Sequence, residues 1–495
     1  MKPATDLLLV VDAGAPAPLY RQVYAGLRDA IVSGRLATGA RLPSTRTLAA
    51  DLQVARNTIT TAFDQLRAEG YVAGKTGGGT RVCEVIPDEL LRARQVPRQR
   101  TREALAPAAT VPPTLSRRGD ALVAAALIFP SAAEVPQAFS IGVPALDEFP
   151  VKLWAHLVAR RWRRPPPLGM GDPAGYEPLR RAVAAYVTNA RGVRCRWEQV
   201  VIVSGAQHGL DLAARLLLDP GEAAWIEDPG YPGARSAFQA AGARLVAVPV
   251  DGEGIVVEEG TRLAPRARLA HVTPSHQFPL GATMSPRRRL ELLAWAQDAG
   301  AWIVEDDYDS EFRYAGRPLP SLQGLDEHGR VLYLGSFSKT LFPALRLGYL
   351  VVPEGAVDAF AAARSVGDRH PALFDQAVVA DFLEEGHFVR HLRRMRRLYV
   401  ERQAALVEAA HRTLGGLLDV PPDAAGIHLL GLLPAGVDST GAAARATGHG
   451  VRVVPLARYA ARPPEREALL LGYAAVSIPA IHRGVERLAA ALSGG

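Results

Sequence analysis

Apolar residues recur every fourth position across PLYRQVYAGLRDAIVSGRL, at Leu19, Val23, Leu27 and Ile31. That is the spacing of one buried stripe on a helix, and the run stops near Ser33-Gly34. Ser44, after Pro43, stands where an N-cap would open a short helix over TRTLAADL. Past a brief turn at Gln53-Val54, ARNTITTAFDQLRAEG brings Ile59, Phe63 and Leu66 to helical spacing and ends at Gly70. YVAGKTGGGTRVCEV then alternates in strand fashion about a glycine tip at Gly77 to Gly79, which predicts a two-stranded hairpin. Three helices and a hairpin over residues 1–84 make a winged helix-turn-helix, an α+β unit. Its third helix would enter a major groove by its N-terminal residues while the wing approaches the backbone or minor groove. Arg56, Asn57, Thr58 and Thr60 lie on that first turn, and arginine and asparagine can read guanine and adenine edges. A small helical bundle whose polar first turn only caps the helix fits the same pattern.

Residues 85–136 are rich in proline, alanine and arginine and read as a linker: proline favours a semi-rigid tether, and the arginines favour phosphates or an acidic face. From residue 137 to 495 the text alternates strand and helix in the α/β manner. Apolar runs bounded by Gly, Pro or Asp fall at 200–205, 223–228, 269–273, 301–306, 331–336 and 347–352, which suits a mostly parallel, buried sheet. A long amphipathic run over 387–412 leads to a smaller α+β C-terminal subdomain with strands expected near 427–433 and 471–478.

At 495 residues with 48% hydrophobic and 22% charged side chains, the chain is too large for a single binding module and too apolar for a disordered protein. Cys83 and Cys195 lie far apart without CxxC spacing, so no disulfide framework or zinc site is expected and a reducing compartment fits. The N-terminus carries only a short apolar run broken at Asp12, and no stretch approaches a membrane span, so the chain reads as cytoplasmic. A net charge of +7 permits nucleic-acid binding. Lys2, Lys75, Lys152 and Lys339 are the only lysines, leaving 53 of the 57 basic residues as arginine. Each retained lysine is therefore a candidate for chemistry that a guanidinium cannot perform.

Lys339 sits in SFSKTLFPALRLGY, just past an apolar strand and seven residues before Arg346. A lysine at a strand's carboxyl end faces the crevice where α/β sheets bind ligands, and its amine can form a Schiff base. Asp306 and Tyr308, in VEDDYDSEF, share one side of an extended chain. A carboxylate and a phenol so placed are what a pyridine cofactor requires, one for the protonated ring nitrogen and one for the ring oxygen. In VVIVSGAQHGLD, the Ser204-Gly205-Ala206-Gln207 turn from strand to helix is a phosphate seat in form. Separately, each feature has an ordinary reading as a solvated lysine, an exposed strand end or a plain helix start. Together they are the three things that pyridoxal 5′-phosphate (PLP) needs.

LPSTRTLAADLQVARNTITTAFDQLRAEGYV resembles the GntR-type winged helix. The resemblance implies DNA contacts at Arg46, Arg56 and Thr58; Thr60 replaces a frequently basic residue, so the base preference does not carry over. The segments GDPAGYEPLRRAVAAY, EDPGYPGAR, TPSHQFPLGATMS, EDDYDSEF, SFSKTLFPALRLGY and VPLARY resemble, in order, an aminotransferase of PLP-dependent fold type I. Head and domain together resemble the MocR family of transcriptional regulators, which includes regulators of vitamin B6 and γ-aminobutyrate metabolism. The resemblance implies a Schiff base at Lys339, Asp306 on the pyridine nitrogen, Tyr308 on the ring oxygen and Tyr231 stacked on the ring. It also implies a phosphate held by Gly205, Ala206, Gln207, Ser336, Ser338 and Arg346, an effector carboxylate on Arg458, and a homodimer.

Two departures bear on activity. Phe278 stands near the position where aminotransferases place an asparagine against the cofactor oxygen, with Leu280 where threonine is common, and Met170 replaces a tyrosine that often reaches the neighbouring subunit's phosphate. The expected function is a PLP-dependent DNA-binding regulator that senses a small amino compound or PLP itself. The alternatives are an active aminotransferase with an appended DNA-binding domain and a DNA-binding protein that holds PLP only structurally. Borohydride reduction of the PLP-loaded protein should fix the cofactor's mass on the peptide that holds Lys339; label on Lys152 instead would overturn the assignment.

Overall fold

The computed structural model describes residues 9, 11–75, 79–86, 114–126, 137–316 and 320–493. The tip of the expected wing at 76–78 and most of the expected linker, 87–113 and 127–136, lie outside the described residues. The chain divides into two compact units, residues 1–112 and 113–495.

The first unit contains helices α1 (Leu19–Val32), α2 (Thr45–Asp51) and α3 (Arg56–Ala68) and the antiparallel strands β1 (Val72–Lys75) and β2 (Gly79–Val82). Val23, Leu27 and Ile31 of the four-residue stripe are buried against Leu48, Ile59, Phe63 and Leu66, while Leu19 stays at the rim. The Ser44 hydroxyl accepts a hydrogen bond from the Thr47 amide at 3.0 Å, a cap that satisfies one of the donors left open at a helix start. The wing is broader than a two-stranded hairpin. Leu42 donates to the Thr80 carbonyl and Val82 to the Ala40 carbonyl, both at 2.9 Å, so residues 40–42 line the edge of β2 as a third, bridged segment.

The second unit opens on α4 (Arg117–Ala124), a helix inside the stretch read as an extended linker. The Ser116 side chain caps it, and the Ser236 hydroxyl donates to the Ala125 carbonyl beyond its end. Local capping and tertiary docking together outweigh the tether-like composition of the segment. Next come α5 (Val151–Arg163), α6 (Glu177–Arg191), β3 (Val200–Val203), α7 (Ala206–Leu217), β4 (Ala223–Asp228), α8 (Pro232–Ala240), β5 (Arg244–Asp251) and β6 (Gly254–Ile255). They are followed by α9 (Val257–Leu263), β7 (Leu269–Val272), α10 (Pro286–Ala299), β8 (Trp302–Asp307), β9 (Val331–Ser336) and β10 (Gly348–Val351).

Strands β3 to β10 form one mixed sheet in the order β3-β10-β9-β8-β7-β4-β5-β6. The run from β9 to β5 is parallel, whereas β10 is antiparallel to both β9 and β3. The six runs expected from apolar composition all supply strands. β5 was not expected; its place near the margin of the sheet leaves it half exposed, and Pro249 breaks the pattern of a buried strand. Two buried clusters cover the faces of this sheet, one centred on Leu210, Phe238 and Leu334 and one on Trp225, Leu292 and Ile303.

Helices α11 (Val357–Asp368) and α12 (Leu373–Glu384) lead to α13 (His387–Thr413), which buries Phe388, His391, Leu392, Met395, Tyr399 and Leu406 along one face. The C-terminal subdomain is a small antiparallel sheet, β11 (His428–Leu432) and β12 (Val454–Pro455) flanking β13 (Ala468–Gly472), with α14 (Ser439–Gly448) and α15 (Ile478–Ser493). Its last strand ends at Gly472, so the expected extent of 471–478 is overturned: the chain turns into α15 because Ile481, Val485 and Leu488 pack as a helical stripe. Among the described residues no helix is long and apolar enough to cross a membrane.

Phe63 is 2% exposed at the centre of the first unit. Phe63→Ala should cost about 3–5 kcal/mol, read as lost hydrogen-exchange protection in α1 and α3 with protection of the large sheet unchanged.

Candidate functional site

Register brings the expected site residues to one edge of the large sheet. Gly348 at the start of β10 pairs with Ser336 at the end of β9 on one side and with Val203 at the end of β3 on the other. The turn after β3 therefore lies beside the Ser336-Ser338-Lys339 segment. Gly205 sits at φ 87°, a left-handed conformation that favours glycine, and opens α7. A Cβ there would come within 3.3–3.4 Å of the Arg346 guanidinium, which itself donates to the Ser204 carbonyl at 2.8 Å. The Ser336 hydroxyl accepts from the Ser338 amide at 3.1 Å. The first amides of α7 (Ala206, Gln207), two serines and a guanidinium thus converge, which is the donor set an anion requires. Gln207 donates to the Gly233 carbonyl at 3.0 Å, and its Oε1 is buried without a partner among the described residues.

Lys339 reaches across this edge and donates through Nζ to the Gly142 carbonyl at 2.7 Å. Burial holds its amine below the ordinary lysine range, against the opposing pull of Asp309 and Asp306. The shift is toward the neutral, nucleophilic form of the amine.

The carboxylates at the end of β8 are not a solvated cluster: Glu305, Asp306, Asp307, Asp309 and Glu311 are all buried. Strand alternation sends Glu305 and Asp307 to one side and Asp306 to the other. Glu305 accepts from the Leu322 and Gln323 amides at 2.8 Å each; even so, burial and the neighbouring Asp307 charge push it up to about 7. Asp307 accepts from Arg191 Nε at 2.7 Å and from the Tyr333 hydroxyl at 2.5 Å. Although burial opposes its ionisation, the Arg191 guanidinium holds Asp307 below the usual carboxylate range. Asp306 Oδ2 lies 3.4 Å from His271 Nε2, while its Oδ1, like Asp307 Oδ1 and Asp309 Oδ1, is buried with no partner among the described residues.

The orphaned Asp306 oxygen is the test of whether the residues fit PLP. A buried acceptor at a strand end, within electrostatic reach of both Lys339 and Tyr231, suits a protonated pyridine nitrogen. Together with the anion seat and the amine, the donor set fits the cofactor.

Tyr231 caps α8 and lies tilted against His271 at a ring separation of 6.5 Å. Phe278 presents its ring edge-to-face to Tyr231 at 5.9 Å, Tyr308 at 5.9 Å and Tyr459 at 5.1 Å, so its position in the turn is filled by an aromatic cluster where aminotransferases make a polar contact. Tyr308 is half-buried, its hydroxyl 3.0 Å from His276 Nδ1, and desolvation with the nearby Asp309 and Asp306 charges raises it well above the ordinary phenol range. Arg458 is exposed and has no polar partner among the described residues; its neighbour Tyr459 is buried and joins the Phe278 cluster. The segment is tied to the large sheet by Gly230 donating to the Tyr459 carbonyl at 3.1 Å and Ala461 donating to Asp228 at 2.6 Å. Met170 is 72% exposed.

Three contributors escaped the sequence reading. Gly142 acts through a backbone carbonyl, which leaves no side-chain signature. His271 and His276 could have been found, since both flank TPS in the chain that leads to the Phe278 turn.

In the first unit Arg46, Arg56, Asn57 and Thr60 are exposed and Thr58 is half-buried. Arg56 Nε lies 3.3 Å from the Thr45 hydroxyl, which draws α2 and the start of α3 together. Thr60 donates to the Arg56 carbonyl of its own helix at 3.0 Å.

Two family profiles match the chain: aminotransferase class I and II over residues 139–488, and bacterial regulatory proteins of the gntR family over residues 19–82. The chain is 41% identical over 488 residues to a probable rhizopine catabolism regulatory protein, MocR, of Rhizobium meliloti, covering 98% of this chain and 96% of that protein. It is 35% identical to the HTH-type transcriptional regulator TauR of Rhodobacter capsulatus, covering 97% of each. Among solved structures it is similar to LysN, an alpha-aminoadipate aminotransferase of Thermus thermophilus complexed with N-(5′-phosphopyridoxyl)-L-leucine. That similarity has a TM-score of 0.66 at 33% identity and covers 72% of this chain and 92% of LysN.

Glu305, whose carboxyl titrates at about 7 in the fold against an ordinary value of 4.5, supplies a pH test. Its folded form holds a proton that the unfolded form has lost, so its contribution to stability is complete below about 4.5 and disappears as pH rises through about 7. The difference in melting temperature between wild type and Glu305→Gln should shrink over that window; a difference independent of pH would contradict the assignment.

Proposed function

The chain belongs to the MocR family of transcriptional regulators, with a GntR-type DNA-binding head and a PLP-binding domain of the aminotransferase fold, and from that premise we propose that a small amino compound, or PLP itself, controls its DNA binding through the slot at the sheet edge. The observation that carries this reading is the joining, in one chain, of an exposed Arg/Asn-bearing α3 to a slot whose amine, orphaned carboxylate and anion seat complement one cofactor.

PLP, when bound, supplies an aldehyde that condenses with amines and a ring that withdraws electrons. The chain's own residues do the rest. Gly205, Ala206, Gln207, Ser336, Ser338 and Arg346 hold the phosphate. Asp306 would keep a proton on the ring nitrogen, Tyr308 would donate to the ring oxygen, Tyr231 would cover a ring face, and Lys339 would offer its amine as the covalent anchor. Arg458, exposed and without a competing partner among the described residues, takes the acidic group of an effector by a charge-assisted fork. Because Phe278 packs among aromatic rings, it gives the ring oxygen no polar support, which favours holding an amine over turning it over. An effector changes regulation only by binding one arrangement of the protein better than another, and a tenfold preference corresponds to about 1.4 kcal/mol.

The heads read duplex DNA through Arg46, Arg56, Asn57, Thr58 and Thr60. The chain acts as a homodimer, so that two heads address paired half-sites; the exposed Trp162, Leu168 and Met170 support a surface covered by a second copy.

Arg56→Ala should weaken binding to the operator by about 1–3 kcal/mol and relax preference at one base pair; equal weakening on all sequences would reduce its role to a phosphate contact. For the sensor, amino acids, γ-aminobutyrate, taurine and PLP are mixed with wild type and Arg458→Ala while the visible spectrum and promoter binding are followed. Acid-bearing amines should perturb both signals in wild type, and Arg458→Ala should bind them more weakly by about 1.5–3 kcal/mol. If no amine changes the spectrum and only PLP changes DNA affinity, the cofactor is what is sensed. Sustained turnover of amino and keto acids would favour the aminotransferase reading.

A further inference from the structure

His276 is 2% exposed and follows β7 in the turn that carries Phe278. Its Nδ1 lies 3.0 Å from the Tyr308 hydroxyl and 3.0 Å from Asp309 Oδ2, and its Nε2 lies 3.4 Å from Asp423 Oδ2. The ring is boxed in by close backbone approaches. Gly426, at φ +88°, leaves the space for it, since a Cβ there would fall 2.2 Å from its Cε1. Gly281, at φ +81°, does the same for Asp423, where a Cβ would fall 2.3 Å from Oδ2. The imidazole therefore has one orientation, with a carboxylate at each nitrogen.

A ring so flanked carries a hydrogen on both nitrogens. Burial alone would discharge it, but Asp309 and Asp423 hold it up at about 10. Of the other titratable groups nearby, Lys339 interacts with Asp309, Asp306 with Tyr308, and Tyr473 with Asp309 and Asp423, while the His428 ring is 5.7 Å away. Burial and the His276 charge push His428 down to about 4, so it remains neutral and does not compete for the carboxylates. A doubly protonated imidazole has no lone pair in its plane to accept from Tyr308. The Tyr308 oxygen instead accepts from Nδ1–H, shared with Asp309, and its own proton points away from His276, where Asp309 is one acceptor within reach and the slot offers the other.

We propose that His276 is a positioning residue for the ring oxygen of the bound cofactor: it turns the Tyr308 hydroxyl into an oriented donor and so substitutes for the polar contact that Phe278 does not make. The inference rests on the assignment of Tyr308 to that oxygen. Asp423 belongs to the segment leading into β11, where Tyr314 donates to the Ala424 carbonyl at 2.8 Å and Ala425 donates to Asp423 at 3.1 Å. The orientation of the hydroxyl is thus set in part by the C-terminal subdomain.

The test titrates the visible absorption of the PLP-loaded full-length protein with pH. A donor and a nearby cation both favour the anionic ring oxygen, so their loss should raise the apparent pKa of the bound cofactor. In His276→Gln the amide nitrogen replaces Nε2 and nothing faces Tyr308, so a rise of about one unit, or tenfold in proton affinity, is expected. In His276→Asn the amide nitrogen replaces Nδ1, the donor to Tyr308 is retained, and the rise should be smaller. In a Tyr308→Phe background the same two substitutions should add little. Melting of the PLP-free variants checks that each is folded, and if the Gln variant is not, the Asn variant and its Tyr308→Phe partner decide. Equal shifts for Gln and Asn, a wild-type titration in either, or a shift undiminished in Tyr308→Phe would overturn the proposal. Wild type without a visible band would instead break the cofactor reading on which it rests.

Discussion

Five carboxyl groups in seven residues are buried at the end of one strand, and the large unit is organised around making that tolerable. An unpaired buried carboxylate costs several kcal/mol, so each must find a donor or keep its proton. Glu305 is met by backbone amides, Asp307 by Arg191 and Tyr333, Asp309 by His276, and Glu311 by the Tyr186 hydroxyl at 2.9 Å. These partners come from α6, β9 and the turns after β7 and before β9. Asp306, Asp307 and Asp309 each leave one buried oxygen without a donor among the described residues, but the other oxygen of Asp307 and of Asp309 is held at 2.5–3.0 Å, whereas that of Asp306 has only His271 at 3.4 Å.

The two units use charge in opposite ways. The head keeps Arg46, Arg56 and Asn57 in solvent, where they can exchange water and counterions for a duplex. The slot takes the β8 carboxylates out of water while Arg346 and Arg458 stay exposed, and burial shifts Lys339 toward its neutral form. A sensor that must hold a small amine benefits from such a dry edge, and a reader of a polyanion benefits from a wet one.

In the proposed arrangement Phe278 and His276, two residues apart in one turn, divide what a single polar residue does in an aminotransferase. Phe278 fills the space among Tyr231, Tyr308 and Tyr459, and His276 approaches the same region from behind Tyr308. Since the His276 ring also faces Asp423, while Tyr459 and Ala461 tie their segment to Gly230 and Asp228, the C-terminal subdomain grips both sides of the slot.

Much of this was readable from local pattern. The four-residue stripe of α1, the Ser44 cap, the helical spacing of Ile59, Phe63 and Leu66, and the continuous apolar strands depend on neighbours a few residues away. Lys339 stood out because arginine replaces lysine almost everywhere else, and Asp306 with Tyr308 because alternation puts them on one side. What pattern did not carry was long-range: the edge segment 40–42, the half-exposed β5 with Pro249, the helix over 117–124, the Gly142 carbonyl beneath Lys339, and the His276 relay to Asp423, 147 residues away. The acidic cluster shows the division most clearly. Its residue types were plain in the chain, but burial decided that they are partnered acids and not a solvated strand end. Burial belongs to the packed assembly of distant segments, because only that assembly removes the water that would otherwise make each carboxylate indifferent to its neighbours.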